Sequence, residues 1–246
     1  MPMVDIHFLA ATTKELLAGV PLTLGLTVLS VVLGAVLAFV LALMRISGHA
    51  WLDLPAQCYA FVLRGSPLLV QIFIIYYGLA QFPAIRHSFL WTFLREPLWC
   101  IVLAMTLNSG AYCSVIFRGG LLSVPAGQVE AARAYGMAPV VLFRRIVMPL
   151  ALRQMLPAYS NEVILMLKDT SLGSIITLME ITGVAAKLIS ASYRSVEVFV
   201  CAGAIYLTLN FLFIRLFATW EYALSPEKRL PTGAIPGKPY QELPHA

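Results

Sequence analysis

Long apolar stretches separated by short polar segments dominate this sequence. Leu16 to Met44 holds no charged residue, and the run is centred on Leu24–Leu43. A second run covers about Cys58–Gln81, with Arg64 near its start, and a third runs from Pro97 to Phe117. A fourth begins near Met155 and reaches the Leu172–Leu178 region, interrupted by Glu162, Lys168 and Asp169. A fifth extends from Val198 to about Ala218. A bilayer core of roughly 30 Å needs about 20 apolar residues in a helix, so each run reads as a membrane span. The pattern predicts an all-α transmembrane protein with five spans and its termini on opposite sides.

Composition supports that reading. Of 246 residues, 60% are hydrophobic and 12% charged, and mean hydropathy is +0.84. Soluble domains carry about 25% charged residues. The net charge of +5 does not point to nucleic acid, because the basic residues lie in short loops between apolar runs. There they read as topology signals. With the N-terminus outside, the inner segments hold Arg45, Arg118, Arg133, Arg144, Arg145, Arg153, Arg215, Lys228, Arg229 and Lys238. The outer segments hold Lys14, Arg86, Arg95, Lys187 and Arg194. The bias predicts N-terminus out and C-terminus in, and the Arg118–Arg153 loop carries most of it.

Cys58, Cys100, Cys113 and Cys201 are widely spaced and form no CxxC pair, so they read as small buried hydrophobes. The first apolar run is far longer than the core of a signal peptide and follows Asp5, Lys14 and Glu15, so it is expected to be retained. Beyond Trp220, Pro226, Pro231, Pro236, Pro239 and Pro244 predict an irregular tail.

The loop Ser123–Pro149 carries the most local information. Pro125 suits the first turn of a short helix, and Gly136 suits the left-handed position that ends one. Pro139 can open a second short helix, which Pro149 is expected to end. Ala131, Ala132 and Ala134 leave a surface small enough to lodge in a groove on another protein.

The spacing in this loop resembles the signature of the permeases of ATP-binding-cassette (ABC) importers. That signature is Glu-Ala-Ala, three residues, Gly, nine residues, Ile, one residue, then Leu-Pro; this chain supplies Glu130, Ala131, Ala132, Gly136, Ile146 and Pro149, with Met148 in place of Leu. Arg64-Gly65-Ser66-Pro67-Leu68-Leu69-Val70-Gln71 and the stretch Leu156–Leu172 are similar to polar amino-acid permeases, above all the M-type permeases of histidine, arginine and opine uptake. The resemblance covers about residues 20–220 and implies a five-span, type I importer permease of the bacterial inner membrane. It implies a periplasmic segment at 1–15, a transmembrane domain at 16–220 with a coupling loop at 119–150, and a cytoplasmic Pro-rich tail at 221–246. The implied partners are a cytoplasmic ATPase dimer that docks on the Glu130–Pro149 loop, a homologous second permease, a periplasmic solute-binding protein and membrane lipid. The implied cargo is a polar, basic amino acid or an opine. Relatives often carry an acid where this chain has Val115.

The costly residues are Arg64, Glu162, Lys168 and Asp169, since a charge at the bilayer centre costs about 2.5–3.5 kcal/mol on insertion scales. Glu162 and Asp169 are seven residues apart, which puts them on one helical stripe, with Asn161 beside it. Two readings stand. These residues, with Ser66 and Gln71, line a solute path, Glu162 meeting a cationic side chain and Arg64 a carboxylate; or they are structural pairs. No GxxxxGK[ST] loop, HExxH, GxSxG or metal-spaced histidine set occurs, so no catalytic residue, metal or cofactor is expected, and ATP falls to another chain. The rival function is an ion-coupled secondary carrier using Glu162 and Asp169 as a relay.

Overall fold

The computed structural model describes residues 5–224, and the tail expected to be irregular lies outside the described residues from 225 onward. No strand occurs among the described residues. Helix α1 (Ile6–Leu16) leads through a 3-10 turn into α2 (Val20–Ile46). Then come α3 (Ala50–Gly65), α4 (Leu68–Phe73), the short turns α5 (Pro83–Arg86) and α6 (Trp91–Leu94), and α7 (Pro97–Leu122). The second half holds α8 (Ala126–Ala134), α9 (Pro139–Leu142), α10 (Met148–Asp169), α11 (Ile181–Ser192) and α12 (Ser195–Leu224). By length and composition three helices can cross a membrane: Ile6–Ile46, Pro97–Leu122 and Ser195–Leu224. Two bent pairs raise the number to five, in agreement with the hydropathy pattern.

Several boundaries differ from the apolar runs. Helix begins at Ile6, ten residues before the first uncharged run, because Asp5 caps it by accepting from the Phe8 N–H at 3.1 Å. That N–H, with Arg194 beside it, holds the Asp5 carboxyl below its usual range. The expected single second span is instead two helices bent by 103° at Ser66-Pro67. The fourth span starts at Met148, and Pro149 opens it; Pro149 does not end the preceding helix as expected. A π turn at Phe143–Val147 carries the chain from α9 into α10. Pro149 has no N–H for the Arg145 carbonyl, and a local change of hydrogen-bond register accommodates that loss. The last helix runs to Leu224, past the expected boundary at 220.

Small residues let α2 and α7 cross closely. A Cβ on Gly34 would lie 2.9 Å from Ser109 Oγ, and one on Gly110 would lie 2.7 Å from Leu37. Gly25, the other glycine read as a packing residue, faces open space. Ala38, Ala42, Cys113, Phe117, Ala151 and Met155 continue the seam toward α10. At the other end, Leu16 and Ile181 pack on Val198, Ala202 and Ile205. Cys100, Cys113 and Cys201 are buried and Cys58 is exposed; all four are free thiols.

One buried acid escaped the hydropathy reading. Glu180 has no exposed surface and caps α11. Its carboxylate accepts from the N–H groups of Thr182 (2.9 Å) and Gly183 (2.8 Å) and from the Tyr206 hydroxyl (2.7 Å). It therefore joins the start of α11 to α12, beside Gly19, whose Cβ would sit 2.6 Å from the Ile181 nitrogen. Replacing Glu180 by Ala orphans these donors, at about 1–3 kcal/mol each. Glu180→Ala is expected to lower the thermal unfolding midpoint of the detergent-purified protein, and Glu180→Gln, which keeps acceptor capacity, to lower it less.

Candidate functional site

The break in the second span builds one polar cleft. Pro67 forces Ser66 into extended backbone (φ −112°, ψ 141°) and offers no N–H to the Leu63 carbonyl. Side chains replace the missing bonds. Gln71 Nε2 donates to the Leu63 carbonyl (2.8 Å), the Ser66 carbonyl (3.1 Å) and Ser66 Oγ (3.0 Å). Asn108 Nδ2, from α7, donates to Gln71 Oε1 at 3.3 Å and reaches the Leu63 carbonyl at 3.5 Å. Ser66 Oγ donates to the Val62 carbonyl at 2.9 Å. The hydroxyls of Tyr59 and Tyr112 donate to the carbonyls of Leu107 (2.7 Å) and Arg64 (3.3 Å).

The cleft beside this break measures about 460 Å³. Arg64, Ser66, Asn108, Tyr112, Glu162 and Asp169 line it with Gly65, Pro67, Leu68 and Leu165. Arg64, Ser66, Glu162 and Asp169, singled out in the sequence, are thus brought together. Gln71 is buried behind them and is occupied by the broken backbone. Asn161 is exposed on another side of α10 and lies outside the cleft. Val115 does not line it either. Among the described residues, no ion pair engages Arg64, Glu162, Lys168 or Asp169. The Arg64 guanidinium instead stands 5.2 Å from the centre of the Tyr112 ring. Tyr112 was not a sequence candidate; its spacing of four from Asn108 on one helix was the available signal. The cleft is therefore lined by one cation and two carboxyl groups, the layout for a ligand carrying both signs of charge.

The second feature is the loop at the other end of α10. α8 ends in a left-handed Gly136 (φ +73°), as its position suggested. The Gly136 N–H donates to the Arg133 carbonyl (2.9 Å) and the Met137 N–H to the Ala132 carbonyl (3.1 Å), a Schellman closure. Ala131 and Ala132 then face Ile146 and Pro149 across a groove of about 480 Å³, with Gln128, Tyr135, Arg145 and Arg153 on its walls. Glu130 is exposed on α8 and does not line the groove. Four of the six signature residues thus share one groove, and Gly136 sets its corner.

The polar break makes a direct test of backbone satisfaction. Gln71→Leu leaves the Leu63 and Ser66 carbonyls short of a donor, at about 1–3 kcal/mol for each group left buried and unpaired. The expected outcome is a lower unfolding midpoint, together with faster thiol labelling of a cysteine placed at Ser66 than in the parent background.

Comparison with known proteins agrees with this architecture. Residues 20–221 match the family described as binding-protein-dependent transport system inner membrane component. The chain is 67% identical over 225 residues to the octopine transport system permease protein OccM of Rhizobium meliloti, covering 92% of each chain. It is 42% identical over 204 residues to the histidine/lysine/arginine/ornithine transport system permease protein HisM of Escherichia coli, covering 82% of this chain and 86% of that one. Its fold is similar to a crystal structure of an amino acid ABC transporter with histidines, at TM-score 0.78 and 34% identity, covering 93% of this chain and 100% of that one. With its broken second span, polar cleft and signature loop, this chain belongs to the inner-membrane permease family of binding-protein-dependent ABC importers.

Proposed function

We propose that the chain carries a basic amino acid or an opine inward across the bacterial inner membrane, through the Arg64–Glu162–Asp169 cleft. One observation carries this reading: a cation and two carboxyl groups, none ion-paired among the described residues, share a cleft in a chain 67% identical to an octopine permease. A basic amino acid or opine has both carboxylate and cationic groups. Arg64 offers a planar fork to the carboxylate, and Glu162 and Asp169 meet the cation. Desolvating such a ligand without these partners would cost several kcal/mol.

The importer reading supplies the partners. The N-terminus is periplasmic and the C-terminus cytoplasmic, an orientation supported by the lysine and arginine bias. The groove of Ala131, Ala132, Ile146 and Pro149, with exposed Glu130 and the Gly136 corner, then faces the cytoplasm and receives the ATPase dimer. A homologous second permease completes the path, and a periplasmic binding protein delivers the solute. The chain binds no cofactor or metal of its own, and ATP is bound by the partner. Alternation between inward- and outward-open states is driven by the different contacts the ATPase makes in each.

Replacing Glu162 by Gln in the assembled importer tests the cargo assignment. Uptake of arginine or octopine is expected to fall about tenfold, one charge-assisted hydrogen bond's worth, while that of a neutral amino acid falls less. Equal losses for charged and neutral solutes count against the contact. The coupling surface is tested separately. Glu130→Lys and Gly136→Pro are expected to leave membrane insertion intact while ATP hydrolysis no longer drives uptake. Parental uptake per ATP in either variant would refute the docking assignment.

A further inference from the structure

A second cleft, of about 430 Å³, opens on the opposite side of α7 from the polar one. Asn108 and Tyr112 face the polar cleft, whereas Leu103 and Thr106 line this one. Leu33 of α2 forms another wall, and the segment between the second and third spans closes over it with Ile85, Phe93 and Leu94. That segment also holds the marks of a membrane–water boundary. Trp91 lies within it and Trp99 just beyond it, Phe89 is 77% exposed, and Phe93 stacks edge-on against Trp99 at 5.8 Å. Exposed Arg86 and His87 follow directly on the lining residue Ile85, and Arg95 follows Leu94.

We propose that this cleft seats one acyl chain of an anionic phospholipid, with its phosphate held at Arg86 and His87. The walls are apolar, and the Thr106 hydroxyl oxygen is buried with no surface turned to an occupant, so the lining matches a hydrocarbon. A volume of about 430 Å³ has room for one acyl chain, whereas a neighbouring span, roughly 10–12 Å across, enters it with side chains alone. Arg86, which has no ion pair among the described residues, complements an anionic headgroup beside the apolar cleft, whereas Arg95 is paired with Glu96 at 3.6 Å. The bound lipid then acts as a wedge between the 82–96 segment and α7, the helix whose far edge supplies Asn108 to the polar break.

The test uses the assembled importer in vesicles of phosphatidylethanolamine and phosphatidylglycerol, with a trace of phosphatidylglycerol bearing a diazirine in its acyl chain. After illumination, peptide mapping is expected to find label at Leu103–Thr106 and Ile85–Leu94 about fivefold above the exposed Val32 and Val36 of α2, the worth of one basic residue at an anionic surface. Thr106→Phe fills the cleft and removes that excess. Arg86→Gln, an exposed substitution that does not threaten folding, removes the preference for phosphatidylglycerol over a diazirine-bearing phosphatidylcholine. Labelling equal to that of Val32 and Val36 overturns the proposal, as does an excess unchanged in both variants. Cross-linking of the same cleft to the second permease would overturn it too.

Discussion

In lipid a backbone carbonyl has no water to turn to, and everything distinctive in this protein follows from one place where the helix fails to supply a partner. Pro67 cannot donate to Leu63, and the residue before it cannot stay helical. The chain breaks, and Gln71 and Asn108 fill the vacancy with side-chain amides at 2.8–3.5 Å. The bend of 103° that results turns Arg64 and Ser66 toward α10. An unbroken helix would have left Arg64 on a stripe against lipid or a neighbouring span, at the full cost of an intramembrane charge. The break makes a polar surface where irregular backbone is tolerated, beside a cavity and backed by protein.

α10 links this surface to the loop. Its first turns carry Pro149 and Arg153 in the groove with α8, and its far half carries Glu162 and Asp169 in the polar cleft. Thirteen residues of helix between Pro149 and Glu162 span about 20 Å. Pro157 stands inside that stretch and removes one N–H from its hydrogen-bond ladder, so the element that joins groove and cleft has a point of flexure between them. α7 packs on α10 along the seam of small residues and reaches the same cleft from its own side, through Asn108 and Tyr112.

Much of this was legible in the chain and some was not, for physical reasons. Apolar runs mark spans because the bilayer selects against charge over about 20 residues at a time. The same averaging hides a two-residue break, so Cys58–Gln81 read as one span although Gly65-Ser66-Pro67 stood inside it. Gly136 was readable because a left-handed position strongly favours glycine. Pro149 was misread because a proline ends a helix or starts one, and the π turn that settled the choice has no sequence signature. Glu162 and Asp169 shared a stripe by arithmetic alone, but their meeting with Arg64 depends on a bend between distant helices. Glu180 was missed because it works as a cap, satisfied by its own backbone and by Tyr206. Charge within an apolar run suggests a path more readily than a joint.

We propose that this chain provides a path and a coupling surface while the driving force comes from another subunit. The most direct measurement is accumulation of radiolabelled arginine or octopine in proteoliposomes containing this chain, its second permease and the ATPase, with binding protein supplied on the periplasmic face. Accumulation against a gradient that requires ATP and the ATPase subunit is the predicted result. Accumulation by this chain alone, driven by a proton or sodium gradient without ATP, would contradict the account.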